Sequence, residues 1–280
     1  MFTIFGVTGS TGSAVARTLL DHGRKIRVVV RDEKKAAPWR ERGAEVVLGS
    51  LSDEHQIESA LRDVEGAYLL LPPDWSSNAV VKARATTTDL LSGVIARAKP
   101  RRVVFLSSYA SYNFGELYAE EKIGPMAGVT FLRASYFINN WGGVLGAAKG
   151  DGVLPTFLQP ERKIAMVWAD DVGVAAAQLL MAPTTPEKMV EVTGAQEYSP
   201  EDIAAALSSM LGRAVKTLAL PNDAVVPTFT GMGISPDFSE LFRRLYADIN
   251  SDKVRWQNPR SLRRGQTSLE DALKQMLTNA

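Results

Sequence analysis

The first half of the chain alternates between short apolar runs and stretches whose apolar residues recur at helical spacing. The apolar runs cover residues 2–7, 26–30, 44–48, 67–72 and 101–108. The helical patterns between them cover residues 11–22, about 31–42, 53–61 and 78–98. Apolar runs without alternation are typical of parallel strands that are covered on both faces. The pattern therefore predicts an α/β fold built on a Rossmann-type, doubly wound parallel sheet.

The second half is less regular but still mixes strands with helices. The pattern predicts strands at residues 129–133, 163–168 and 189–194. It predicts helices at residues 115–126, 136–149 and 199–212, and a further helix that opens at Asp170 and Asp171. The helix over 199–212 has the clearest ends, because Ser199 suits the N-cap, Pro200 the first helical position and Gly212 the position after the last turn.

The domain organisation follows from length and from the lack of a boundary. A chain of 280 residues is long enough for one large domain or for two interlocked lobes. No linker rich in glycine, serine or proline separates the halves. We therefore expect an NAD(P)-binding Rossmann domain over residues 1–150, interlocked with a smaller C-terminal α/β lobe over residues 151–280 that covers the substrate.

Three glycines follow the first predicted strand with the spacing G-x-x-G-x-x-G. In a dinucleotide-binding turn, Gly6 permits the tight turn, Gly9 lets the backbone approach the pyrophosphate, and Gly12 lets helix and strand pack closely. The start of the next helix offers unpaired N–H groups and the positive end of its dipole to phosphates. The same turn carries three hydroxyl side chains, those of Thr8, Ser10 and Thr11. The turn therefore predicts a dinucleotide site.

The end of the second predicted strand indicates which dinucleotide is preferred. An NAD site places an acidic residue there for the ribose 2′-hydroxyl, whereas this chain has Arg31 first and Asp32 second. An arginine pairs well with a 2′-phosphate, and Lys34 and Lys35 add positive charge nearby. We therefore expect NADP(H) to be preferred. NAD(H) stays possible, because an Asp32 side chain that pointed at the ribose would weaken the preference.

Two further strand ends belong to the predicted site, because ligands of open parallel sheets bind at the carboxyl ends of the strands. Leu71 and Pro72 end the fourth strand, near the middle of a bound dinucleotide. Ser107 and Ser108 end the fifth strand, close to the nicotinamide. These residues are therefore candidates for cofactor contacts.

Composition and charge exclude several other classes of protein. The chain has no cysteine and two histidines far apart in sequence, which argues against thiolate chemistry and against a metal site. Its net charge of +1 gives no sign of a nucleic-acid partner. No apolar stretch approaches the roughly 18 residues of a membrane span, and the chain runs straight into a strand without a basic leader. We expect a cytoplasmic protein, monomeric or homodimeric, that binds a small molecule.

Several local patterns occur in an order that resembles one family. They are GVTGSTG, VVVRD, GSLSD, RRVVFLSS, GVTFLRASYFINNW and KIAMVWADDVGVAAAQLL. Together they resemble the NmrA-like branch of the atypical short-chain dehydrogenase/reductases, which includes quinone and azo reductases, isoflavone-reductase-like enzymes and NADP-sensing regulators. The resemblance implies that the residues of the glycine turn and Arg31 contact NADP. It also implies that Arg133 to Phe137, including Tyr136, run beside the nicotinamide pocket and that Asn140 lies at its edge.

A catalytic group is less clear from the sequence. Tyr118 and Lys122 have the Tyr-x-x-x-Lys spacing of short-chain dehydrogenases, which puts both on one helix face, and Ser108 could complete the set. The alternative is a solvated helix with Glu120, Glu121 and Lys122 facing water. In the register of the resemblance, Leu117 stands where relatives carry a catalytic histidine or lysine.

The sequence leaves two hypotheses for function. The first is an NADPH-dependent reductase that transfers hydride to a small conjugated acceptor: a quinone, an imine or iminium, or an enone. Its substrate pocket would use aromatic and amide side chains, those of Tyr109, Phe137, Asn140 and Trp141, unless these aromatic residues simply fill the core. The second is a redox sensor that binds NADP(H) without turnover, and Leu117 favours it. A nucleotide-sugar epimerase or dehydratase fits less well, because the segment after the fifth strand is short.

Overall fold

A parallel sheet of eight strands forms the centre of the molecule in the computed structural model, which describes residues 1–184, 186–257 and 262–279. In chain order the strands of the described residues are β1 (Phe2–Ile4), β2 (Ile26–Val30), β3 (Glu45–Leu48), β4 (Gly66–Leu69), β5 (Val103–Ser108), β6 (Val129–Ala134), β7 (Tyr136–Phe137), β8 (Val153–Thr156), β9 (Ile164–Val167), β10 (Met189–Thr193), β11 (Glu197–Tyr198), β12 (Lys216–Ala219) and β13 (Leu262–Arg264). The central sheet has the order β13–β10–β6–β5–β4–β1–β2–β3. Six of its strands thus keep the 3-2-1-4-5-6 order of a Rossmann sheet. The predicted fold class is confirmed.

Helices cover both faces of this sheet. In chain order they are α1 (Ser10–Asp21), α2 (Ala37–Glu41), α3 (Glu54–Leu61), α4 (Val80–Ala98), α5 (Ser111–Phe114), α6 (Glu116–Ile123), α7 (Leu145–Asp151), α8 (Ala169–Met181), α9 (Pro200–Leu211), α10 (Val225–Gly231), α11 (Pro236–Asn250) and α12 (Leu269–Asn279). Helices α1, α2 and α8 pack on one face through a core that includes Val15, Leu19 and Leu179. Helices α3, α4 and α6 pack on the other face through a core that includes Leu61 and Leu91. Because both faces are buried, the strands contain apolar runs rather than alternating residues.

The second half of the chain builds a smaller lobe and also completes the central sheet. The lobe contains the short sheets β11–β9–β7 and β12–β8, which pack with α7, α9, α11 and α12 around a separate core. Strands β10 and β13 return to the central sheet, where β10 pairs with β6. The two halves of the chain therefore share one sheet and interlock.

Two helix predictions in the second half had different outcomes. Helix α9 agrees with the prediction for residues 199–212, and Ser199 and Asp202 form a capping box at its start. The helix predicted over residues 136–149 is wrong. That segment begins as β7, continues as a 3-10 helix over Ile138–Val144 and becomes α-helical only in α7. Its asparagines and paired glycines have low helix propensity, and Tyr136 pairs instead with Met166 of β9.

Among the described residues, no helix is both long and apolar enough to cross a bilayer. The longest of them, α4, is 19 residues long and carries charged or hydroxyl side chains along much of its length. It ends at Lys99, which adopts a left-handed conformation directly before Pro100, a residue that cannot continue a helix.

Candidate active site

The glycine turn joins β1 to α1 in a way that requires glycine at two of its three positions. Gly6 has a φ of 71°, in the left-handed region that favours glycine. A Cβ atom added to Gly12 would lie 2.3 Å from the carbonyl oxygen of Gly6, so the backbone itself excludes a side chain there. A Cβ atom on Gly9 would meet only the Gly6 oxygen at 3.5 Å, an ordinary contact distance. Gly9 therefore leaves open space over the turn, while Gly12 lets α1 pack against it.

The start of α1 has the properties of an anion site. Gly9 is its N-cap, no side chain caps the helix, and its first turn contains no acidic residue. Thr8 and Ser10 are exposed beside the free N–H groups of this turn. These observations fit a dinucleotide pyrophosphate, which takes hydrogen bonds from N–H groups at a helix N-terminus.

The hydroxyl of Thr11 makes a contact inside the fold. Thr11 is buried, and its Oγ accepts a hydrogen bond of 2.9 Å from the Tyr68 hydroxyl. This bond lies inside the fold between α1 and β4, and it holds the start of the helix to the sheet. The side chain of Thr11 therefore helps to pack the helix against the sheet, and the exposed Thr8 and Ser10 are the more accessible hydroxyl groups of this turn.

The two charged residues at the end of β2, Arg31 and Asp32, have different surroundings. The carboxylate of Asp32 accepts a hydrogen bond of 2.9 Å from the backbone N–H of Lys34 and caps a short 3-10 helix over Glu33–Lys35. Arg31 is exposed, and its side chain has no hydrogen bond or ion pair with the residues that the structure describes. The arginine is therefore available for a 2′-phosphate, while the aspartate is engaged in its own turn.

The ends of β4 and β5 place the other predicted cofactor residues. Leu71 is buried and Pro72 is exposed just after β4. At the end of β5, Ser108 Oγ accepts a hydrogen bond of 3.1 Å from the N–H of Ala110 and so shapes the turn that follows. Ser107 is buried, and its side chain points to Glu120 of α6.

A buried polar cluster beneath the end of β5 was not predicted. Ser107 Oγ donates to Glu120 at 2.6 Å, and Arg133 Nε donates to the same carboxylate at 2.8 Å. All three side chains are buried, and a second Arg133 nitrogen also pairs with Glu120. The alternative of a solvated helix, with Glu120 facing water, is wrong for this residue. The available signal was Arg133 itself, because an arginine inside an apolar strand needs a buried acidic partner.

The structure does not bring Tyr118, Lys122 and Ser108 together. The Tyr118 hydroxyl donates to the exposed carboxylate of Asp89 on α4 at 2.7 Å, and Lys122 lies 3.4 Å from the same group. This hydrogen bond to Asp89 raises the pKa of Tyr118, the opposite of the activation that a dehydrogenase lysine provides. The catalytic grouping predicted from Tyr-x-x-x-Lys is therefore corrected: the pair lies on the outer face of α6, opposite the buried Glu120.

The predicted aromatic residues divide between core and pocket. The rings of Tyr136 and Trp141 make an edge contact at 6.5 Å inside the core of the lobe, and Phe137 is half-buried. Asn140 is exposed beside them. Burial raises the pKa of Tyr136, and of Tyr109 as well, so both phenols keep their protons at neutral pH.

Tyr109 is the aromatic residue that faces a cavity. It follows β5 directly, and its ring contacts that of Trp256 at 5.5 Å. Both residues line a cavity of about 160 Å³ whose other walls come from β9, β11 and the end of α11. The Tyr109 hydroxyl has no hydrogen-bond partner within the described ranges. A buried phenol with a free hydroxyl at the carboxyl end of a central strand can hydrogen-bond a carbonyl oxygen of a ligand.

No metal site accompanies these groups in the part of the chain that the structure describes, where no three histidine or acidic side chains cluster in a way that could hold an ion. The candidate site therefore comprises the glycine turn, Arg31 and the ends of β4 and β5, and Tyr109 directly after β5 leads from it to the cavity. This geometry on this strand order defines a Rossmann-type dinucleotide-binding protein.

Comparison with known proteins identifies the family. The model of the NmrA-like family matches residues 1–113 and 116–271, so the chain belongs to this family, and the resemblance seen in the sequence is confirmed. Among curated relatives, an NAD(P)H azoreductase from Xenophilus azovorans is 28% identical over 255 residues, which cover 88% of this chain and 86% of that protein. A (4-alkanoyl-5-oxo-2,5-dihydrofuran-3-yl)methyl phosphate reductase from Streptomyces griseus is 27% identical over 80% of this chain and 78% of that protein.

Solved structures with the same fold include two that contain the phosphorylated dinucleotide. The triphenylmethane reductase of Citrobacter sp. in complex with NADP(H) superposes with a TM-score of 0.83 at 18% identity, over 99% of this chain and 100% of that one. The NADPH-dependent quinone oxidoreductase of Escherichia coli in complex with NADPH gives a TM-score of 0.82 at 21% identity, again over 99% and 100% of the two chains. At these identities the superpositions show the shared fold.

Proposed function

We propose that this protein is an NADPH-dependent reductase that transfers hydride to a small conjugated acceptor: a quinone, an imine or iminium, or an enone. The observation that carries the proposal is the turn at Gly6, Gly9 and Gly12, which leads into an uncapped helix start. The names of the curated relatives, an NAD(P)H azoreductase and a furanone phosphate reductase, support the same class of reaction. Residues 1–150 hold the dinucleotide and residues 151–280 cover the acceptor.

The residues present fit NADP(H) better than NAD(H). The N–H groups at the start of α1 hold the pyrophosphate, with Thr8 and Ser10 as hydroxyl donors. The guanidinium of Arg31 holds the 2′-phosphate by charge-assisted hydrogen bonds, and Lys34 and Lys35 strengthen the local positive charge. When bound, the reduced nicotinamide supplies the hydride.

The acceptor half of the site depends on hydrogen bonding and orientation. Tyr109 keeps its proton at neutral pH and donates a hydrogen bond to the acceptor atom that gains negative charge as hydride arrives. The proton that completes a hydroquinone or an amine comes from water. With a quinone, an imine or an enone, the balanced reaction consumes one NADPH, one proton and one acceptor, and it yields NADP⁺ and the reduced acceptor. An iminium cation takes up the hydride alone and needs no proton. A monomer or homodimer in the cytoplasm suits this reaction.

A redox sensor is the second candidate, and one observation favours it. Leu117 stands where related enzymes carry a catalytic histidine or lysine, and the neighbouring Tyr118 and Lys122 point to Asp89 on the surface. A sensor would bind NADP(H) through the same turn and would transfer no hydride.

Calorimetric titration of NADPH and NADH tests the cofactor assignment. Arg31→Ala should weaken NADPH binding by about tenfold or more, since one charge-assisted contact contributes about 1.5–3 kcal/mol, and it should change NADH binding little. Arg24→Ala is the matched control, because Arg24 is exposed at the opposite end of β2. Equal weakening for both nucleotides would refute the 2′-phosphate contact.

Nicotinamide absorbance with a panel of quinones and cyclic imines tests the reaction. Turnover with members of the panel supports the reductase. Tight binding of NADPH with no turnover on any acceptor supports the sensor instead. If neither nucleotide binds, both candidates are refuted.

A further inference from the structure

A short segment after α11, which we call the strap, covers the cavity at Tyr109. The strap consists of residues 252–257 and contributes Val254, Arg255 and Trp256 to the cavity wall. Asp252, Lys253 and Arg255 form ion pairs, and the indole of Trp256 packs on the ring of Tyr109. The strap therefore determines how much space remains between the lobe and the end of β5.

Both ends of the strap are anchored. At its start, the carboxylate of Asp252 pairs with Arg162 at 2.6 Å and also with Arg255. At its end, the backbone N–H of Gln257 donates to the Glu191 carboxylate at 2.9 Å. Glu191 is completely buried on β10, beside Arg133 in the strand register. A hydrogen bond to a buried carboxylate is stronger than one between neutral groups, so it fixes the segment next to Trp256.

The cavity behind the strap suits a single ring. Its volume is about 160 Å³, and apolar side chains, those of Tyr109, Ile164, Ile249, Val254 and Trp256, form one part of its wall. Charged residues form the rest, namely Arg162, Lys163, Glu197, Asp252 and Arg255. A cavity of about 150 Å³ is large enough to hold benzene, so the volume sets the size of the ligand. A single flat ring matches that volume, whereas a second fused ring would need space that the indole of Trp256 occupies.

We propose that Trp256 is a specificity-determining residue, which limits the acceptor to one ring by closing the far side of the cavity. This inference rests on the proposed function for its readout, since it concerns the acceptor of that reaction. The strap holds the indole against the ring of Tyr109, so the indole closes one side of the cavity and the volume that remains selects the acceptor. Single-ring quinones and imines are therefore reduced in preference to fused two-ring compounds.

The test compares 1,4-benzoquinone with 1,4-naphthoquinone as acceptors for NADPH. Trp256→Ala should raise the ratio of kcat/KM for the two-ring quinone over that for the one-ring quinone by about tenfold or more, the range by which apolar pockets discriminate size. Trp256→Phe should raise the same ratio by less, and it keeps the test valid if the alanine variant is unstable. Trp75→Ala is the matched control, because Trp75 packs on Phe238 and Phe242 away from this cavity.

The outcomes separate this inference from the proposed function. If the wild-type protein reduces benzoquinone but neither Trp256 variant changes the ratio, the inference is overturned and the reductase stands. If the wild-type protein reduces no acceptor, the reductase fails, and calorimetric binding of the two quinones to the NADP⁺ complex replaces turnover. The inference would then be supported if Trp256→Ala binds the two-ring quinone more tightly than the wild type does. Unchanged or absent binding would overturn it.

Discussion

Replacing Gly12 and Gly9 by alanine, one at a time, should separate the structural role of the glycine turn from its binding role. In Gly12→Ala, the new methyl group would lie 2.3 Å from the carbonyl oxygen of Gly6 and 2.8 Å from that of Phe5. These are backbone atoms, so no rotamer change relieves the overlap, and α1 must move away from β1. Overpacking of this kind costs about 1–3 kcal/mol of unfolding free energy. A large domain loses roughly 2–4 °C of Tm for each kcal/mol.

Gly9→Ala should behave in the opposite way. Its methyl group would be 3.5 Å from the nearest atom, and φ at this position is −102°, which alanine adopts readily. Alanine is a poorer N-cap than glycine, so we expect a loss of stability of at most about 1 kcal/mol. The methyl group would fill the space that a pyrophosphate needs. An overlap of about 1–3 kcal/mol would raise the Kd for NADPH roughly 5- to 150-fold.

The assay is thermal unfolding of each variant without nucleotide, followed by calorimetric titration of NADPH. Gly146→Ala is the control, because a Cβ atom there has no neighbour within 4 Å and the position is helical. This variant should keep NADPH binding and the wild-type Tm, or gain slightly in stability. The packing argument is refuted if Gly12→Ala is as stable as the wild type. The binding argument is refuted if Gly9→Ala takes up NADPH with wild-type affinity.

Three further predictions concern the buried cluster, an acid-sensitive helix pair and the tyrosines. Arg133→Met leaves its buried carboxylate partner without a cation, and urea unfolding should show a loss of about 3–5 kcal/mol. The hydrogen bond from Arg243 lowers the pKa of Glu240 from 4.5 to about 2. The stabilisation from this ion pair is therefore complete above pH 4.5 and is lost as the pH falls towards 2. Over that range, the difference in unfolding free energy between the wild type and Glu240→Gln should shrink. Tyr118→Phe should keep kcat within about twofold. Tyr109→Phe should lower kcat by about tenfold or more and leave the Kd for NADPH unchanged. The reverse pattern would restore the Tyr-x-x-x-Lys assignment.

The first half of the fold was predictable because its signals are local. A strand buried on both faces can be recognised from its own apolar residues, without knowing which strands pair with it. The glycine turn likewise combines its three glycines within seven residues. The second half depends on contacts between distant residues. Tyr136 joins β7 only because Met166 of β9 lies beside it, and nothing between residues 136 and 149 indicates that pairing. No role could be predicted for Trp256 for the same reason, since its partner Tyr109 is far away in sequence.

Helix α6 shows why a correct spacing gave the wrong site. Residues four apart lie on one face of a helix, so the sequence correctly placed Tyr118 and Lys122 side by side. Spacing alone does not tell which face is buried. Glu120 is two positions from each of them, about 200° around the axis at roughly 100° per residue, and it is the one that turns inward. Arg133, which lies inside an apolar strand, requires an anion beneath the sheet and so decides the orientation of the helix. With Glu120 committed to that buried pair, Tyr118 and Lys122 must face Asp89 and water. In the proposed reaction, the hydrogen bond to the acceptor therefore has to come from the end of β5, where Tyr109 lies, and not from α6.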